Sequence, residues 1–174
     1  MKLDNPYPFD RSSQGNSKNW GRRRVAAKYS GDMTFEIFFK AGPIDLVGTV
    51  AMEFLFGLKL GHIYYHEVGV RGNGRWDRTK YNGQGVAIRV YSTIISFMNF
   101  ISEKEEVDAF HFTGRDVAQQ NILDNIVAET EVHWPGFVFV DSLIISNGDK
   151  VYLMCKESIM KNQQSNLLEY VENM

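Results

Sequence analysis

From Lys80 to Glu103 the apolar residues fall at three- and four-residue steps. Ala87, Tyr91, Ile94, Met98 and Ile101 make one stripe, and Val90, Ile94, Phe97 and Ile101 make a second beside it. That spacing marks a helix apolar over much of its circumference, hence a central one covered on two sides. Upstream the pattern is that of strands. Met33 to Phe39 has aromatic and β-branched content, and Lys40-Ala41-Gly42-Pro43 closes it with a turn. Val47 to Phe56 sets Val50, Met52, Phe54 and Phe56 on one face, and its other face is apolar enough to predict cover on both sides. His62 to Val70 reads as a third strand. Arg71-Gly72-Asn73-Gly74 is a hairpin turn, with Trp76 to Asn82 as the returning partner.

After the helix, Val107 to Thr113 is a short strand closed by Gly114. Asp116 is placed to cap a second helix, whose buried stripe runs through Val117, Ile122, Leu123, Ile126 and Val127. His133-Trp134-Pro135-Gly136 is a break. Phe137 to Ser146 and Val151 to Lys156 are two strands joined by Asn147-Gly148-Asp149-Lys150, a hairpin signal. From Ile159 the chain is polar, with a weak helical pattern through Leu167, Leu168 and Val171. The pattern divides the chain into an arm over 1–28, a domain over 29–158 and a polar tail over 159–174. It predicts an α/β (α+β) fold: a mixed, mostly antiparallel sheet with helices on its faces. The 107–113 strand is expected to run parallel to Trp76–Asn82 through a right-handed crossover.

Composition narrows the chemistry. With 174 residues, 44% hydrophobic, the chain is long enough to bury a sizeable core. A net charge of -2 gives no general case for nucleic acid binding. The lone Cys155 excludes an internal disulfide and a cysteine-based zinc cluster, and it reads as a buried structural thiol. Among the four histidines, the one pair with metal-like spacing, His62 and His66, falls in a strand, so no metal is expected. A polar N-terminus and the absence of an apolar run near the ~20 residues that span a bilayer point to a reducing cytoplasm and no membrane.

The first 28 residues lack apolar periodicity and carry the breakers Asn5-Pro6, Tyr7-Pro8, Gly15 and Gly21. Tyr7, Phe9 and Trp20 with Arg22, Arg23 and Arg24 supply the residue types that dominate contact energies at interfaces. The expectation is an arm that extends from the domain and orders against another protein chain or a neighbouring copy of this one.

The turn before the central helix is the most chemical stretch. A strand, a Gly83-x-Gly85 turn and a helix present unpaired amides and the positive end of a helix dipole, which attract anions. The element order and Lys80-x-x-Gly83-x-Gly85 resemble the GNAT acyltransferases, whose signature is Arg or Gln, two residues, Gly, one residue, then Gly or Ala. Lys80 departs from it at the first position. The resemblance implies that Lys80, Gly83, Gln84, Gly85, Val86 and Ala87 would hold the pyrophosphate of acetyl-CoA or coenzyme A. More narrowly, the NGQG turn, the helix after it, the FHFTG strand end and the Arg115-led helix resemble bacteriophage GNAT-like proteins. That likeness would set the chain in a host cytoplasm or a virion. Many family members carry a thiolate-protonating tyrosine after the second helix, whereas this chain has no tyrosine between Tyr91 and Tyr152. Glu67 and His111 are the candidate acid–base residues, with His66 beside Glu67 but on the other face of its strand. Two functions follow: an acyl-CoA N-acyltransferase, or a non-catalytic relative that binds a phage or host protein.

Overall fold

The computed structural model describes residues 3, 5–9, 23–24, 33–42, 44–67 and 86–174. Its strands are β1 (Arg23–Arg24), β2 (Met33–Ala41), β3 (Ile44–Leu55), β4 (Leu58–Glu67), β5 (Ala109–Gly114), β6 (Phe137–Ile144) and β7 (Lys150–Lys156). Its helices are α1 (Val86–Glu105), α2 (Val117–Val127), α3 (Thr130–His133) and α4 (Glu157–Glu172). The described strands make one sheet in the order β1-β2-β3-β4-β5-β7-β6, antiparallel throughout except for β4 against β5. The expected mixed, mostly antiparallel sheet with helices on its faces is therefore present.

Alternation along the strands sorts the side chains into two layers. Phe35, Ile37 and Phe39 of β2, Leu46, Val50 and Met52 of β3, and Phe110 and Phe112 of β5 face α1 and α2 in the larger core. Leu58 and Leu60 of β4, Ala109 of β5 and Leu153 and Cys155 of β7 face α4, which contributes Leu167 and Val171. The weak apolar pattern near the C-terminus is thus one face of a real helix, and Leu168 lies only partly buried beside it. Central α1 buries Val90 through Ile95 without interruption, as its double stripe predicts. Two glycines allow the close fit. A Cβ on Gly48 would lie 2.7 Å from Ile94 Cδ1, and one on Gly61 would lie 2.8 Å from the Phe110 ring.

Several expectations are corrected. The parallel neighbour of β5 is β4, since β4 and β7 occupy both of its hydrogen-bonding edges. The Trp76–Asn82 segment named for that place lies outside the described residues. A tight β3–β4 turn at Phe56-Gly57 starts β4 at Leu58, four residues before the expected strand. Val50 and Met52 are buried, but Phe54, near the end of β3, is 52% exposed, and Phe56, in the turn after it, is 47% exposed. Val117 is 72% exposed, and the buried face of α2 runs instead through Gln119, Leu123, Ile126 and Val127. Asp116 does cap α2, its side chain accepting a hydrogen bond from the Gln119 amide.

The arm also differs from its expectation where it is described. Tyr7 is buried, stacked on Phe39 at 6.3 Å, and its amide donates to Thr93 Oγ1 at 2.8 Å. Arg89 lies 3.7 Å from the centre of the Tyr7 ring and donates through Nε to the Asn5 carbonyl. Phe9 meets Phe97 edge-on. These rings need cover, as their apolar area demands, and the chain's own α1 and β2 supply it. Arg23 and Arg24 add a short strand to β2, while Trp20 and Arg22 lie outside the described residues.

Candidate functional site

The site begins where β4 and β5 part. At one end they are stapled by Asp108, whose amide donates to the Lys59 carbonyl while its carboxylate accepts from the Lys59 amide at 2.8 Å. The Lys156 amide also donates to the Asp108 carbonyl, which draws β7 into the same junction. Parallel pairing then runs over four partners, from Leu60↔Ala109 to Ile63↔Phe112, and stops. Both strands go on. β4 stays paired with β3 as far as Glu67↔Leu46, and β5 stays paired with β7 as far as Gly114↔Lys150. Two intact half-sheets are thus joined at one end, and the natural twist of the strands opens them at the other.

A cavity of about 330 Å³ lies at this opening. Its wall on the α1 and α2 side is apolar, with Ile94, Ile95, Met98, Phe112, Leu123 and Trp134. Its wall on the α4 side has His62, Tyr64, Thr113 and Val151, and Arg115, Gln119 and Asp149 add polar groups. The cavity therefore passes from one face of the sheet to the other. A mostly apolar hollow with a few convergent polar groups is the usual form of a small-molecule site.

The helix positions are secured by hydrogen bonds outside the cavity. Tyr152 on β7 donates to Asp124 Oδ1 at 2.7 Å and to the Gln120 carbonyl at 3.0 Å, so β7 grips α2. Lys150 Nζ reaches the same carboxylate at 2.8 Å. The hydrogen bond from Lys150, chiefly, holds the Asp124 carboxyl below its usual range against the opposing effect of burial. Burial and the Asp124 hydrogen bond raise the Tyr152 hydroxyl far above its ordinary value. Tyr152 is thus a tether, with its proton committed. Cys155 is buried, and burial pushes its thiol up to about 11, which removes it as a nucleophile at neutral pH and bears out its reading as a structural thiol.

The sequence-derived site residues scatter. Lys80, Gly83, Gln84 and Gly85 lie outside the described residues, and Val86 and Ala87 open α1. The first turn of α1 has no acidic side chain, so no carboxylate there offsets its positive end. Glu67 ends β4 on the α1 side, whereas His111 sits on β5 facing α4. His111 pairs with His62, five residues before Glu67, or about 16 Å along the strand. They do not converge. The residue missed is His62, a cavity-wall imidazole with the same alternation as His66. Its signal was the apolar-to-ring change along Leu58, Leu60, His62 and Tyr64. Among the described residues no cluster of His, Cys, Asp or Glu is arranged to hold a metal ion, and no helix is long and apolar enough to cross a membrane.

No family model and no curated protein matches the chain. Solved structures do overlap with it in part. The ribosomal-protein-S5-alanine acetyltransferase from Vibrio fischeri is 16% identical with a TM-score of 0.40, over 72% of this chain and 61% of that one. A "putative acetyltransferase from Agrobacterium tumefaciens" is 13% identical with a TM-score of 0.37, over 74% of this chain and 77% of that one. This chain thus spans about three fifths of the length of the Vibrio protein. Likeness of that extent has no bearing on chemistry, which rests on the cavity and the parted strands.

Proposed function

We propose that this chain is an N-acyltransferase that takes its acyl group from a thioester of coenzyme A. The observation that supports it is the cavity through the sheet where β4 and β5 part. Such an opening lets two reactants meet from opposite faces, and positioning of that kind can supply much of an acyl-transfer rate. Coenzyme A carries the acyl group as an activated thioester. The chain's residues fit it in two ways. The apolar wall of Ile94, Ile95, Met98 and Leu123 suits the methylene-rich arm of the coenzyme. The N-terminal amides at Val86 and Ala87, which follow Gly83 and Gly85 in the sequence, would receive the pyrophosphate.

Transfer is direct in this reading, since Cys155 is withheld from nucleophilic attack. The alternative of a non-catalytic partner binder draws no support from Tyr7 and Phe9, whose rings already pack on α1 and β2. Calorimetric titration with coenzyme A and acetyl-CoA is the test. Binding at micromolar to sub-millimolar concentration is expected, and Gly85→Asp should remove it without unfolding the chain, because a carboxylate there repels the pyrophosphate. No heat at millimolar ligand would sink the proposal.

A further inference from the structure

Beneath α4 the sheet changes character. Leu58 and Leu60 give way along β4 to His62, Tyr64 and His66, with ring centroids 5.3 Å and then 6.3 Å apart. His62 is the register partner of His111 on β5, and the two imidazoles stack within 3° of parallel at 4.6 Å. Tyr170 of α4 stands edge-on to His111, its hydroxyl 3.4 Å from Nε2. His62 lines the cavity, and His111, only 3% exposed, lies behind it. A pair of parallel stacked imidazoles, one on the cavity wall and one buried behind it, is an unusual wall for a mostly apolar cavity.

We infer that His62 accepts the proton given up by an acceptor amine in the cavity, and that His111 and Tyr170 are positioning residues that hold this imidazole flat and confine the pair to one charge. The inference rests on the acyl-transfer reading. Burial disfavours a charge on His111, and a second cation stacked at 4.6 Å would repel the first, so the proton belongs on the cavity side. In the reaction the amine nitrogen bonds to the thioester carbonyl carbon and its proton passes to a ring nitrogen of His62. The C–S bond breaks, the coenzyme leaves as thiolate, and the imidazolium returns its proton to water. The other titratable groups around this wall, among the described residues, include Tyr64 and His66 on β4, Tyr170 on α4, Arg115 and Asp149, and Glu53 on β3, which pairs with Leu60 on the same face one step from His62.

Histidine-ring NMR of the full chain between pH 5 and 8, with acetyl-CoA as the probe ligand, tests this. His62 should take up a proton across that range while His111 does not. In His62→Gln, the His111 midpoint should rise by at least one pH unit once the neighbouring charge is gone. Acetyl-CoA should move the His62 resonances more than those of His66. Independent titration of both rings, or a His62 that never titrates, overturns the inference. Acetyl-CoA heat without a His62 shift overturns it too, yet leaves acyl transfer standing, whereas no heat at all removes both. If His62→Gln fails to fold, the wild-type titration still decides.

Discussion

At the scale of single residues, close packing decides what the sheet tolerates. Gly61 leaves a space that the Phe110 ring fills, and an added Cβ would come within 2.8 Å of that ring and 3.2 Å of Val50. Phe110 is fully buried and rigid, so it cannot swing aside as the tip of an aliphatic chain would. Gly61→Ala is expected to destabilise the fold by about 1–3 kcal/mol, read as a lower denaturant midpoint at unchanged slope. His133 provides a pH-dependent effect. Burial lowers its pKa below the ordinary 6.5, partly opposed by the Glu129 carboxylate 3.9 Å away. The unfolded chain therefore binds this proton more readily than the folded one. Stability from this site is complete above the ordinary imidazole value and falls as pH drops below it. The thermal midpoint should decrease from pH 7 to pH 5, and His133→Phe should flatten that part of the profile.

Between elements, the clasp of the first residues on α1 is the informative contact. Tyr7 buries its ring between Phe39 and the Arg89 guanidinium, and its backbone is tied to Thr93. Tyr7, one of the residues that suggested an interface, is thus part of the core, and Phe9 packs against it. Tyr7→Ala removes a buried aromatic from a tight site and should destabilise the chain by roughly 3 kcal/mol. A thermal midpoint unmoved by this substitution would show that the segment contributes nothing to the domain. The Asp108 junction has the complementary role at the far end of β4, where it holds together the strands that part at the cavity.

Across the whole molecule the arrangement is two half-sheets joined by four residue pairs, with α1 and α2 on one face and α4 on the other. The opening between them is a property of neither half. Ile95 lies on its apolar wall, so Ile95→Trp should fill the cavity from the helix side. At least a tenfold loss of coenzyme A affinity is expected, with the far-ultraviolet spectrum unchanged. Undiminished affinity would place the coenzyme elsewhere.

Local periodicity determined most of the element list. The double stripe of α1, the Asp116 cap, the Asn147-Gly148 hairpin and the strand over Met33–Phe39 depend on neighbours within a few residues, which a sequence displays directly. Residue type alone marked the rings of Tyr7 and Phe9 as needing cover, but only the packed chain could say that their cover comes from α1 and β2. The order of strands was likewise beyond local reading, because β5 chooses β4 and β7 by long-range hydrogen bonding. The candidate site shows the limit most clearly. His62 and His111 are 49 positions apart in the chain, and each alone reads as an ordinary strand histidine. Their stacking, and the cavity beside them, exist because parallel pairing sets them side by side and stops one residue later.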